Sequence, residues 1–507
     1  MSRTKKTLIN SATGLILNII SMIISFVLQA VFIRLLGLEY SGVNTLFTDI
    51  LKILNLADMG ISNAILVRLY KTIAHDDQAG TEKYLALYKK VCYAVGIFVG
   101  VVGLAFIPFL DSFVKETPTF PEPLWSLYII VIANSVISHL INYRGVLFTA
   151  HQDRYINIVI QYTCTFLKHG LQIAVLAIFR NIYLYLIMGA FTTLLHGILS
   201  KIFTEKKYHI SWHSKERISK EERNDIVKDV GALAVFKFCR TLNVTIDTFL
   251  ISRFISVATT AIYGSVSIIT TSLTNLLGTL NDGMIASVGD LHAVGDDKRL
   301  HRVFNMSCHL VYLLYGTCVV VLAPFLKVFT TWWIGHTLPD SCLYIMLFNF
   351  YVAGQNATVS TFRNATGLYR QGWKRPALTA LVNFVASVFL IKRIGLIGAL
   401  IGTAISNITT IMWYDPYIVH KFIFKEKPTR YYIEYVFYLL IVGGVSLLSI
   451  LLGKILPEAD TFISLVWHGF VYLIFAVSAL LAAGTLFPCQ KELLQKGVGM
   501  LKSKFSK

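Results

Sequence analysis

Four stretches of this chain gather polar and charged residues at helical spacing inside otherwise apolar sequence. On a helix turning 100° per residue, Asn18, Ser21, Ser25 and Gln29 fall within about 80° of one another. Asn44, Thr48, Lys52 and Asn55 form a similarly narrow arc, flanked by Asp49 and Asp58. Farther along, Lys237, Arg240, Thr241, Asp247 and Thr248 share an arc of about 120°, and Ser267, Thr270, Thr271, Thr274, Asn281 and Asp282 share a comparable one. A charge near the centre of a bilayer costs at least about 2.5 kcal/mol, so faces of this kind line water and not lipid. Their chemistry is that of binding. Arg240 can grip a phosphate through two parallel hydrogen bonds, whereas Lys52 and Lys237 act as point charges. Two other uses compete with this one. The acids Asp49, Asp58, Asp247 and Asp282 can pair with these cations to hold helices together, or can take Na⁺ or a proton as a coupling ion.

The elements that carry these faces follow from composition. The chain has 507 residues, of which 55% are hydrophobic and only 15% charged, and its mean hydropathy is +0.63. Soluble domains average about 25% charged residues, so an integral membrane protein is indicated. The apolar residues come in blocks of about 20, long enough to cross roughly 30 Å of hydrocarbon as helices. Barrel strands would instead alternate over about ten residues. The blocks define fourteen expected spans: 8–35, 41–70, 89–110, 122–150, 156–178, 182–203, 230–253, 259–290, 304–326, 341–362, 376–391, 395–419, 432–454 and 463–486. The basic start, Met1 to Lys6, leads into a retained first helix, because the apolar stretch after it is too long for a signal peptide.

The net charge of +18 raises the question of nucleic acid. The 46 Lys and Arg, however, sit mostly in short loops and helix ends on one side of the spans, which is the positive-inside pattern and places both termini in the cytoplasm. At about 1.5 Å per residue, Lys52 then lies roughly 17 Å below the outer surface, Arg240 roughly 20 Å and Lys237 roughly 24 Å.

The longest polar break is the segment 204–229, and the sequence repeats weakly across it. IPFLDSFV from Ile107 resembles APFLKVFT from Ala323. YRGVLFTAHQ from Tyr143 resembles FRNATGLYRQ from Phe362, and YSGV with a following DMG (Tyr40 to Gly60) resembles YGSV with NDG (Tyr263 to Gly283). The expected organisation is therefore an N-terminal six-helix lobe (1–203), a cytoplasmic linker (204–229), a C-terminal six-helix lobe (230–425), and two further helices with a basic tail (426–507). An even number of spans per repeat relates the lobes by an axis along the membrane normal, with spans 1, 2, 7 and 8 enclosing a polar cavity on that axis.

No enzyme motif is present. A phosphate loop GxxxxGK[ST] comes nearest at Gly367 and Gly372, but Trp373 stands where the lysine is needed, so no ATPase domain is expected. The seven cysteines lack CxxC spacing, and neither a metal site nor another cofactor is indicated. Weaker polar candidates are Lys168 and His169, read as an inter-helix contact more than a site. Arg144 and Arg363, matched in the repeat, are read as anchors at the inner helix ends. The glycines at 395, 398 and 402 have the spacing of close helix packing.

The stretch LLGLEYSGVNTLFTDILKILNLADMGISNAI from Leu35 to Ile65, with YRGVLFTAHQDRY from Tyr143 to Tyr155, resembles bacterial polysaccharide flippases. These belong to the multidrug/oligosaccharidyl-lipid/polysaccharide exporter superfamily, here in particular the type serving capsule and teichoic acid pathways. The resemblance implies alternating access that moves an undecaprenyl-pyrophosphate-linked oligosaccharide from the inner to the outer leaflet of the cytoplasmic membrane. Under it Lys52, Lys237, Arg240, Asn55, Gln29 and Asn18 face the substrate, and the partners are that lipid-linked substrate and membrane lipids, with the protein a monomer. A lipid II flippase and a cation-coupled multidrug exporter are the alternatives.

Overall fold

Helix boundaries in this chain are written in its capping residues. Asp77 and Asp296 accept hydrogen bonds from the backbone N–H groups of Gly80 (2.8 Å) and Arg299 (3.0 Å), and Asn181 from that of Leu184 (3.0 Å). Ser219 with Glu222 and Thr461 with Ser464 form reciprocal capping boxes. Each satisfies backbone donors that a helix start leaves without partners. At the other ends Gly335 takes the left-handed conformation (φ 77°) that only glycine adopts without strain.

The computed structural model describes residues 3–55, 61–212, 214, 218–368, 372, 374–457 and 461–487. Within these, the side chains of 3–15, 63, 223, 227–236, 280–283 and 286 are not described. Among the described residues the chain is helical, without strands. The helices are α1 (Arg3–Leu36), α2 (Leu38–Leu54), α3 (Ile61–Ala74), α4 (Gln78–Ala105), α5 (Leu124–Ile141), α6 (Gly145–Ala150), α7 (Arg154–Phe179), α8 (Ile182–Tyr208) and α9 (Lys220–Phe254). They continue with α10 (Val257–Val294), α11 (Asp297–Ile334), α12 (Asp340–Ala365), α13 (Lys374–Ile394), α14 (Leu396–Ser406), α15 (Met412–Val419), α16 (Thr429–Ile455) and α17 (Phe462–Gly484). Eleven stretches among the described residues are long and apolar enough to cross a membrane, which makes this a multi-pass membrane protein. The described residues of the three other expected spans are also mostly helical. These spans are 41–70 (α2 and α3), 230–253 (α9) and 341–362 (α12), and the last two are diluted by polar residues such as Lys237, Arg240, Gln355 and Asn356.

Packing divides the chain into two compact units, Met1–Ser265 and Val266–Lys507. In the first, α1 packs on α7, α7 on α8, α4 and α8 on α5, and α2 on α9. Phe32, Leu46, Phe47, Val99, Tyr128 and Leu176 form its main core. Gly42 lets α2 meet the start of α10: a Cβ there would lie 2.0 Å from the Val257 carbonyl oxygen. The polar segment expected as a linker is partly ordered onto this unit. Trp212 is buried against Tyr143, and Glu222 pairs with Lys83 at 2.9 Å, whose ammonium holds the Glu222 carboxyl below the usual carboxylate range.

In the second unit α11 is the central element, contacted by α12, α16 and α17. Pro324 interrupts its hydrogen bonding. The apolar run from Leu396 to Phe424 is not one regular helix. Single π turns at Asn407–Ile411 and His420–Phe424 flank α15, which itself contains Pro416. The small-residue spacing does what was expected of it, because a Cβ at Gly402 would lie 2.5 Å from the Ser387 nitrogen and one at Gly398 2.4 Å from the Leu390 carbonyl.

The strongest polar network of this unit has its hub in a residue that the sequence reading did not single out. Asp415 is fully buried, and its Oδ1 accepts from Arg363 Nη1 at 2.7 Å and lies 3.1 Å from Arg375 Nε. Its Oδ2 accepts from Asn356 Nδ2 at 3.2 Å. Arg363, expected as a surface anchor, is only 2% exposed. The matched Arg144 pairs with the exposed Glu205 at 3.1 Å and stacks over Trp212. Asp415→Ala leaves two buried guanidinium groups without their carboxylate, and is expected to cost about 3–5 kcal/mol in thermal unfolding of the purified protein. Adding Arg363→Met and Arg375→Met should recover much of that loss, whereas an additive triple variant would show that Asp415 acts through some other contact.

Candidate functional site

The residues expected to face substrate divide among three local settings, all in the first unit. On α2, Lys52 extends outward with its side chain 55% exposed, and its Nζ donates to the buried Asp49 at 2.6 Å. The i,i+3 spacing makes this pair local, so Asp49 fixes the lysine without removing it from solvent. Just beyond the helix, Asn55 Oδ1 accepts from Ser135 Oγ at 2.7 Å and lies 3.0 Å from His139 Nε2 on α5. That engages the carbonyl half of its amide.

Gln29 on α1 serves helix packing. Its Nε2 donates to Ser41 Oγ of α2 at 3.0 Å and to Ser265 Oγ of α10 at 2.9 Å. Asn18 lies nearer the start of α1, half-buried. On α9, Lys237 is half-buried, Arg240 is exposed, and Asp247 is buried with its carboxylate accepting from the Tyr263 hydroxyl at 3.3 Å. Asp58 lies outside the described residues, as does the side chain of Asp282.

A cavity of about 410 Å³ brings together part of this set with residues given less weight from sequence. It is lined by Asn44, Thr48, Lys52 and Asn55, by Asn134, Ser135 and Ser138 of α5, by Lys168, His169 and Gln172 of α7, and by Tyr185 and Thr193 of α8. This cavity lies among the helices of one unit, and α5 and α7 supply half of its polar lining. Helix wheels could not show this, since they report which residues share a face but not which helix that face meets. The partial signal was Lys168 and His169, a cation beside an imidazole in an apolar span. Gln29, Lys237 and Arg240 do not line the cavity.

A smaller cavity of about 100 Å³ lies in the second unit beside His301, His420 and Glu426, where the carboxylate sits 2.9 Å from a nitrogen of each imidazole. Elsewhere His196 Nδ1 lies 2.8 Å from Asn142 Oδ1, and His309 Nδ1 lies 3.0 Å from the Tyr438 hydroxyl. Among the described residues no group of three or more His, Cys, Asp or Glu is placed to hold a metal ion.

The fold of this multi-pass helical protein is shared with solved structures of membrane transporters. Solved structures with this fold include "Lipid II flippase MurJ, inward closed conformation", at TM-score 0.70 and 11% identity, covering 94% of this chain and 99% of that one. Another is the inward-facing conformation of a multidrug resistance MATE family transporter of the MOP superfamily, at TM-score 0.64 and 13% identity, covering 79% and 96%. A MOP superfamily transporter from Pyrococcus furiosus with a binding pocket of reverse polarity aligns at TM-score 0.55 and 12% identity, covering 90% and 96%. No curated protein matches the chain. Residues 8–283, more than half of the sequence, match the family described as "Polysaccharide biosynthesis protein", and the chain belongs to that family.

If the cavity is hydrated, as its lysines require, a cysteine placed at Asn134 should react with a small charged methanethiosulfonate in membrane vesicles. A cysteine at the fully buried Val359 should not, beyond the labelling of the native thiols. Equal protection of the two positions would show the cavity closed to water.

Proposed function

We propose that this chain carries a prenyl-pyrophosphate-linked oligosaccharide, of the capsule or teichoic acid type, from the inner to the outer leaflet of a bacterial cytoplasmic membrane. The observation that carries the reading is the family membership over residues 8–283, a region that contains the 410 Å³ cavity. In this reading the chain is a monomeric transporter and not an enzyme, both termini are cytoplasmic, and the repeated lobes 1–203 and 230–425 alternate access to the two sides. Lys237 and Arg240 neutralise the pyrophosphate, and Lys52, with Asn18, Gln29 and Asn55, completes a polar path for the rest of the substrate. Arginine's planar fork suits two phosphate oxygens, and lysine supplies charge without direction. The acids Asp49, Asp58, Asp247 and Asp282 hold the cations in place or bind a coupling ion. The prenyl chain stays in lipid, because drawing it into a polar cavity would cost about 0.8 kcal/mol for each methylene removed from hydrocarbon.

The test is transbilayer movement in vesicles that contain the purified protein and a labelled undecaprenyl-pyrophosphate oligosaccharide. Movement is expected with the wild type, partial movement with Arg240→Lys, and none with Arg240→Ala at equal protein content. Full movement by Arg240→Ala would remove that residue from the site. Movement of lipid II alone would move the chain to the lipid II alternative. Drug efflux that needs a Na⁺ or proton gradient, without glycan movement, would make it an exporter.

A further inference from the structure

We propose that the cavity of the first unit is a glycan subsite for an anionic, hydroxyl-bearing unit, a sugar acid or a polyol phosphate, and that it does not receive the pyrophosphate. This inference rests on the reading above that the chain handles a lipid-linked glycan, and it assigns to one cavity the part of the ligand that it holds.

Three observations carry the assignment. The first is charge. Lys52 and Lys168 line the cavity, and no carboxylate does so among the described residues. Lys52 has Asp49 as its partner at 2.6 Å, whereas Lys168 has no ion-pair partner among the described residues. A cation held in an apolar span without an acid calls for an anion, since an unpaired buried charge is costly.

The second is the surplus of acceptors. Asn134 Oδ1 and Gln172 Oε1 are buried acceptors without a hydrogen-bond donor among the described residues. Gln172 cannot simply turn away, because its Nε2 already donates to the Tyr185 carbonyl at 3.2 Å. A ligand that displaces water from these acceptors without meeting them loses about 1–3 kcal/mol for each. A hydroxyl both donates and accepts, and therefore satisfies these oxygens while also accepting from Lys168. Ionised pyrophosphate offers acceptors alone and would set its oxygens against those of Asn134 and Gln172. An aliphatic or aromatic drug would leave them unmet.

The third is shape. A volume of about 410 Å³ lies in the range of small-ligand sites, about 300–1,000 Å³. Tyr185 adds an aromatic wall against which the C–H face of a sugar ring can rest.

Binding to the purified full chain in nanodiscs, measured by calorimetry with soluble probes, tests the assignment apart from transport. Methyl glucuronoside or glycerol 1-phosphate is expected to bind at least about tenfold more tightly than methyl glucoside, and the two anionic probes tell a carboxylate site from a phosphate site. Inorganic pyrophosphate should not displace them. Lys168→Gln should abolish the preference for charge, Lys168→Arg should keep it, and Gln172→Leu should weaken all the hydroxylated probes. Each variant is first shown to elute and melt as the wild type does. Equal affinity for charged and neutral probes, a preference that survives Lys168→Gln, or no binding by any probe overturns the subsite. Vesicles with labelled undecaprenyl-pyrophosphate oligosaccharide separate the two readings. Movement of that lipid without selective probe binding leaves the flippase and removes the subsite, and selective binding without movement does the reverse.

Discussion

The scarcity of hydrogen-bonding partners inside hydrocarbon governs the architecture of this chain. In water an unsatisfied amide or an unpaired ammonium finds solvent, whereas in a bilayer it must find protein or a hydrated cavity. The long helices answer this for the backbone. The side chains answer it in two contrasting ways. In the second unit, Arg363, Arg375 and Asn356 converge on the carboxylate of Asp415 and tie three helical segments together. In the first, Lys168, Asn134 and Gln172 remain incompletely matched around open space. One arrangement is a structural tie and the other is a cavity lined by polar groups. The difference between them is why the cavity, and not the more highly charged cluster, carries the functional reading.

Much of the fold was legible in the sequence because its largest signal, the apolar block, is local. Eleven of the expected spans coincide with helices long and apolar enough to cross a membrane, and boundaries drift mainly where helices run on into polar sequence. Lys220–Asp229 is an example: capped by Ser219, it continues as the first turns of α9. The site was less legible. The polar stripes of Lys52 with Asn55 and of Gln29 were visible, but their destinations differ: Lys52 and Asn55 line the cavity while Gln29 ties α1 to α2 and α10. A periodicity argument treats each helix alone and cannot tell which neighbour its polar face will meet. Asp415 was missed for a related reason. A lone acid among Trp413, Tyr414 and Pro416 gives no pattern, and its partners lie some fifty residues upstream in sequence.

Family and fold contribute unequally to the functional picture. The family match covers the first unit almost entirely and speaks to polysaccharide biosynthesis, whereas the solved structures resemble the chain over most of its length at identities of 11 to 13% and speak to fold. A shared fold at that distance hosts lipid and drug transporters alike. Specificity therefore has to be sought in side chains such as Lys168 and Gln172, which a backbone comparison does not weigh.

The position of α11 also bears on how the protein is made. This helix packs against its successor α12, but its other large packing surfaces are with α16 and α17, which leave the ribosome only after nearly all the intervening chain has been synthesised. Until then the surface that later meets Tyr438 and Tyr472 is bare, and in the nascent protein it must be covered by lipid or by the insertion machinery. The first unit closes sooner, once α7, α8 and α9 have emerged to meet α1, α5 and α2. Biogenesis is thus asymmetric: early closure for one half, and a wait for the last two helices in the other.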